Sequence, residues 1–468
     1  MLTDLSATEL AAAIATGKTS SLEATRACLE RIEQYDDALG SVAGIDPEAA
    51  ERAARAADAE LAAGTPRGPL HGVPLAHKDM FYRAGRVSAC GSRILADFVP
   101  NHTATVLERL DAAGALDIAR LSMVEFALGT TGHNEIAGTP RNPWNREYIT
   151  GGSSSGPGAA VAARFVHGAL GSDTGGSIRL PAACCGLVGL KPTYGRVSRH
   201  GAMPLSFTLD HIGPLTRGVA DAALMLRVIA GHDPLDPTSS NRPVPDYTKV
   251  LDRGVKGLRV ATPENYFFDD TTAEVADLTR RSLDVLADLG AEIVPVRLPE
   301  SINDANALNL LIIAVEGAAA HGRWLRERRE DYGRLTHDRL VPGLLYPATR
   351  YVEALTLRQT ILADLAGAVF ERADVLHTPV WPSPVPTIVE SDQTAHPRAM
   401  EMIAASGRCV RPFNLVGLPA ISVPAGFTAN GLPSAFQMVS RPFDEETLLA
   451  VAAAYERETR CTALESPL

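Results

Sequence analysis

The chain has 468 residues, 46% of them apolar, and its 44 basic against 55 acidic residues give a net charge of −11 at pH 7. That length and apolar content allow a sizeable buried core, and the acidic balance argues against a nucleic-acid or anionic-membrane partner. No basic segment followed by an apolar run opens the sequence, and no stretch approaches the ~18 apolar residues of a membrane span, so a cytoplasmic protein with no membrane partner is expected.

The first 65 residues predict helices with marked boundaries: Ser6 with Glu9 and Ser20 with Glu23 read as capping boxes, and Asp46-Pro47 opens a helix that Gly64 stops. From His71 the texture changes. Short apolar runs at 73–76, 115–119 and 165–170 alternate with Ala-rich helical segments such as 157–164, a pattern that predicts an α/β fold. A Pro-rich stretch at 233–247 interrupts it, after which 257–262 reads as a strand, 272–289 as an amphipathic helix and 291–296 as a strand. Residues 302–373 predict helices, and strand-like runs return at 375–377, 420–423 and 435–439 before a closing helix at 444–456. With no internal repeat, one domain over residues 1–468 is the simplest account, residues 1–65 forming its helical prelude.

Six cysteines without CxxC spacing read as reduced thiols, not as a disulfide framework or a zinc site. Lysine usage is more informative. Only five of the 44 basic residues are lysines, and one of them, Lys78, ends the apolar run of His71-Gly72-Val73-Pro74-Leu75-Ala76-His77-Lys78-Asp79. Burial would lower the pKa of its ammonium and make it a base, which an arginine cannot become. An ion pair with Asp79 is the bland alternative, and His77 reads as structural.

Two Gly/Ser-dense turns flank one helix and one strand: Gly151-Gly152-Ser153-Ser154-Ser155-Gly156 and Gly171-Ser172-Asp173-Thr174-Gly175-Gly176-Ser177-Ile178-Arg179. Such turns can aim several amide N–H groups at one point and so build an oxyanion hole. No phosphate-loop pattern is present, and Lys191 lies beyond the turn as a structural residue. Gly152 to Gly156 also matches GxSxG, which would make Ser154 a nucleophile, but that reading leaves Gly175-Gly176-Ser177 unexplained.

The run from Gly151 to Thr193 resembles the hallmark of the amidase signature family: Gly-Gly-Ser-Ser, a small-residue helix, Gly-Ser-Asp-Thr-Gly-Gly-Ser-Ile-Arg, then Gly-Leu-Lys-Pro-Thr. His71-Gly72-Val73-Pro74 with Lys78-Asp79, Asn142-Pro143-Trp144-Asn145, Asp210-His211-Ile212-Gly213-Pro214 and Arg411-Pro412-Phe413-Asn414 extend the likeness over most of the chain. The resemblance implies a large mixed, twisted sheet covered by helices on both faces, with residues 241–370 as a variable, substrate-shaping segment. It also implies a triad of nucleophile Ser177, bridging Ser153 and base Lys78, with a cis peptide between Gly152 and Ser153. Thr174, Gly175, Gly176 and Ser177 would supply oxyanion amides, while Gly152, Ser154, Ser155, Asp173 and Arg179 support the turns. Neither a metal nor an organic cofactor is implied.

The activity expected on this reading is hydrolysis of a small-molecule carboxylic amide through a seryl acyl-enzyme, by a chain that binds no nucleic acid, with a homodimer as the default assembly. The alternative within the family is the glutaminase subunit of a tRNA-dependent amidotransferase. Those subunits typically place a substrate-binding carboxylate shortly before the Asn-Leu-x-Gly-Leu-Pro run, whereas residues 402–413 hold no acid and carry Arg408 and Arg411.

Overall fold

The apolar runs of the sequence pair into one eleven-stranded sheet in the computed structural model, which describes residues 1–468. In chain order the first strands are β1 (Val42–Ile45), β2 (Pro74–Lys78) and β3 (Leu116–Leu121), followed by a separate hairpin of β4 (Arg141–Asn142) and β5 (Asn145–Ile149). Next come β6 (Gly168–Asp173), β7 (Val188–Lys191), β8 (His211–Thr216), β9 (Arg259–Pro263) and β10 (Glu292–Val296). β11 (Val375–Pro379), β12 (Ala420–Phe427) and β13 (Pro433–Ser440) complete the set. The order across the sheet is β1-β3-β2-β6-β8-β7-β12-β13-β11-β9-β10.

Two pairings position the functional region. β2 runs parallel to β6, with Ala76 opposite Ala169 and His77 opposite Leu170. β2 also runs parallel to β3, where the register steps from Leu75 opposite Asp117 to Ala76 opposite Ala119, so Ile118 is an extra residue on β3. Because strand side chains alternate between faces, neighbouring residues enter different cores. Leu75 and Leu170 pack with the helices Val219–Ile229 and Glu445–Thr459 on one face, while Ala76 and Ala169 pack with Ser21–Leu39 and Ser155–Ala162 on the other. The fold is therefore α/β, a mixed sheet with helices on both faces.

Both expected capping boxes form: Ser6 Oγ accepts from the Glu9 N–H at 3.1 Å and Ser20 Oγ from the Glu23 N–H at 3.1 Å, with each glutamate returning a bond to its serine's amide. The first 65 residues are not wholly helical, however. Val42–Ile45 forms the sheet's edge strand, antiparallel to β3, because the Asp36 carboxylate takes the Ser41 and Val42 amides and turns the chain out of the preceding helix. Four residues were too few for periodicity to reveal it. Of the expected helical stretch 302–373, Ala305–Glu327, Arg334–Leu340 and Ala348–Leu365 are α-helices. No helix of the chain is long and apolar enough to cross a membrane.

Candidate functional site

Lys78 closes β2 and is 1% exposed. Its Nζ donates to Ser153 Oγ and to Ser172 Oγ, each at 2.8 Å. Burial removes the ammonium from water and lowers its pKa to about 7, although the Asp210 and Asp173 charges partly oppose the shift. The bland alternative of an Asp79 partner is not what forms: the Asp79 carboxylate accepts from Arg120 Nη1 at 2.8 Å and from the Ala89 amide. His77 is structural, its Nδ1 accepting the Leu170 N–H within the sheet.

Ser153 is placed by the first Gly/Ser turn, where Gly151 has φ +72° and the Gly152–Ser153 peptide is cis. Gly152 admits no side chain, since a Cβ there would lie 2.7 Å from the Gly132 nitrogen. The following helix starts at Ser155, two residues before the expected segment. Ser154 ties the two turns together, its N–H donating to the Ser177 carbonyl at 3.3 Å and its Oγ to the Ser172 carbonyl at 3.4 Å. Ser154 and Ser155 are fully buried and line no part of the cavity described below, so the GxSxG geometry does not present Ser154 to a ligand.

The second turn is organised by a buried ion pair. Arg179 Nε and Nη2 meet the Asp173 carboxylate at 3.0 and 3.1 Å, both residues being fully buried, and Arg179 continues to Gln437, Asn414 and the Val410 carbonyl. Burial alone would raise the Asp173 pKa, but the Arg179 charge and hydrogen bonds outweigh it and hold the carboxyl well below its usual range. Asp173→Ala would leave a buried guanidinium without its counter-charge, a change that costs about 3–5 kcal/mol. Chemical denaturation should show that loss, and a decrease under ~1 kcal/mol would mean that Gln437 and Asn414 hold Arg179 unaided.

The Asp173 carboxylate also accepts two amides of the turn, those of Gly176 and Ile178. Gly176, expected among the oxyanion donors, donates its N–H to Asp173 Oδ1 at 2.7 Å and so differs from its neighbours. Its φ of +109°, and the 2.4 Å from a built Cβ to Val410 Cγ2, require glycine at this position. The N–H groups of Thr174, Gly175 and Ser177 have no acceptor within the protein. Thr174 is fixed through Oγ1, which donates to Asp210 Oδ1 at 2.6 Å.

Ser177, Thr174 and Gly175 line a cavity of about 470 Å³. Its walls are largely apolar, with Leu310, Leu311 and Ala314 from the helix Ala305–Glu327 and Met400 and Ile403 from the helix Ala399–Leu415. Two arginines, Arg339 and Arg411, also line it, and no carboxylate does. Burial lowers both guanidinium pKa values to about 10, and at Arg411 the Arg339 charge adds to the effect, so both remain cationic at neutral pH. Sequence reasoning missed Ser172 and Arg339. The first is one small residue of a Gly/Ser turn, and nothing in the sequence around the second sets it apart from the other arginines of 302–373.

The Amidase family model matches residues 23–449. The A subunit of glutamyl-tRNA(Gln) amidotransferase from Geobacter metallireducens is 41% identical over 482 residues, covering 98% of both chains. The protein of the same name from Myxococcus xanthus is 42% identical over 490 residues, covering 100% of both. A solved structure from a vestigial protein complex, described as revealing the evolutionary origins of an s-triazine catabolic enzyme, superimposes with a TM-score of 0.90 at 33% identity, covering 97% of this chain and 98% of its own.

Proposed function

Since the chain belongs to the amidase family and is thus a hydrolase of carbon–nitrogen amide bonds, we propose that it is the glutaminase subunit of a tRNA-dependent amidotransferase. The observation that carries this reading is full-length similarity, at 41–42% identity, to the A subunits of glutamyl-tRNA(Gln) amidotransferases. It corrects the expectation of a stand-alone hydrolase of small-molecule amides with no nucleic-acid partner. The missing acid at 402–413 is a difference within one short segment, whereas the likeness to those relatives runs the length of both chains.

On this reading one cytoplasmic domain carries the reaction, with residues 241–370 shaping the donor cavity. Neutral Lys78 takes the Ser153 proton as Ser153 takes the Ser177 proton, and Ser177 Oγ attacks the amide carbonyl. The Thr174, Gly175 and Ser177 amides hold the resulting oxyanion, each donor being worth ~3 kcal/mol. Ser153 returns a proton to the leaving nitrogen, ammonia departs, and water activated by the same relay releases the carboxylate from Ser177.

The test is to assemble the chain with its partner subunits and follow conversion of glutamyl-tRNA(Gln) to the amidated form with glutamine as donor. Ser177→Ala should abolish glutamine-dependent conversion and preserve conversion driven by free ammonium. Release of ammonia from amides with no conversion of the tRNA-bound substrate, even by the complete assembly, would overturn the reading.

A further inference from the structure

The helix Ala399–Leu415 folds one arginine back along its own surface. A Cβ at Gly407, one turn before Arg411, would lie 2.0 Å from Arg411 Nη1 and 2.5 Å from its Cζ, so only glycine lets the guanidinium lie there. Nη1 donates to Asn306 Oδ1 at 2.7 Å, Nε and Nη2 donate to no protein acceptor, and the residue lines the cavity. The side chain passes beside the oxyanion turn, with Cγ 3.2 Å and the guanidinium Nε 3.5 Å from a Cβ built on Gly175. Arg408, three residues earlier, pairs with Asp269 and Asp270, whereas neither Arg411 nor Arg339 forms an ion pair.

Two partly desolvated cations in a largely apolar cavity favour an anionic ligand, and a guanidinium fork matches a carboxylate in geometry as well as charge. The same field repels an ammonium group, for which the cavity lining offers no carboxylate. We propose that Arg411, with Arg339, is a specificity-determining residue that holds the carboxylate end of the amide donor, and that the site reads no ammonium group. Resting on the proposed donor hydrolysis, this defines the preferred donor class as the ω-monoamide of a dicarboxylic acid, in which glutamine's α-amino group is a burden.

Three amides separate the terms: glutaramate, which is glutamine without its α-amino group; glutamine; and pentanamide, which lacks both charges. Calorimetry on the full chain carrying Ser177→Ala should find glutaramate bound at least tenfold tighter than glutamine and a hundredfold tighter than pentanamide. Adding Arg411→Met should weaken glutaramate binding tenfold or more, with Arg411→Lys intermediate, and in the active chain the loss should fall on KM. Equal binding of pentanamide and glutaramate, tenfold tighter binding of glutamine than of glutaramate, or no binding of any of the three would overturn the proposal. A uniform fall in kcat for all three amides in Arg411→Met would instead assign Arg411 to the oxyanion and overturn it as well. If the Arg411 variants do not fold, the amide series on the parent chain decides alone. The amidotransferase reading fails separately: a chain that selects glutaramate but supports no tRNA conversion keeps the carboxylate grip and loses that reading.

Discussion

Lys78→Ala and Lys78→Arg should both lower amide turnover by about a thousandfold or more, since neither side chain can accept the Ser153 proton. The Nζ of Lys78 is the only basic nitrogen bonded to Ser153 Oγ, so the relay has no second base. With its pKa lowered to about 7, the amine becomes a base as the pH rises, and kcat/KM should climb through about pH 7 to a plateau above it. A profile flat down to pH 4, or an arginine variant retaining a tenth of the parent rate, would show that Lys78 acts only as a fixed charge. The same shift bears on stability. Between about pH 7 and the ordinary lysine value of 10.5 the unfolded chain binds the proton and the folded chain does not, so stability rises with pH across that window. The cost at or below pH 7 is about 5 kcal/mol, and Lys78→Met should therefore melt higher than the parent at neutral pH while being inactive.

A fluorophosphonate should label Ser177 and no other serine of the two turns. Ser177 is the one serine among the cavity-lining residues, beside the unpaired amides of Thr174 and Gly175, whereas Ser153 Oγ is bonded to Lys78 and Ser154 Oγ to the Ser172 carbonyl. Trypsin separates the possibilities, because cleavage at Arg146, Arg164 and Arg179 puts Ser153, Ser154 and Ser155 on one peptide and Ser172 and Ser177 on another. Ser177→Ala should abolish labelling and reduce turnover by roughly 10⁴-fold or more, while Ser154→Ala keeps the adduct. An adduct on Ser154 that survives Ser177→Ala would revive the GxSxG reading.

Features set by neighbouring residues were legible in the sequence. Ser6 and Ser20 capped their helices because a capping box needs only residues three apart. Lys78 was legible because an arginine-rich chain keeps so few lysines. The bond from the Gly176 amide to Asp173 is likewise local, spanning three residues, and was missed because a glycine pair was read as two equal donors. Other features depend on distant packing. Nothing near Arg339 in the chain announces that helix packing brings it to the same cavity as Ser177, and Arg411 and Arg408 look alike until one proves to face carboxylates and the other a cavity. The substrate expectation failed because it rested on a single short window of residues.

The strand that carries Lys78 is held from both sides, by β6 and by β3 with its extra residue Ile118. Along β2, His77 and Lys78 point to opposite sides of the sheet, and the step at Ile118 lets β3 stay paired with β2 up to Lys78 while β2 also holds its register with β6. A slip by one position would exchange an amine for an imidazole while leaving the strands paired. Strand phase is thus a coding element of this enzyme in its own right: a length change within β2 alters which functional group is delivered, whereas the same change in a connecting loop alters only the path of the chain.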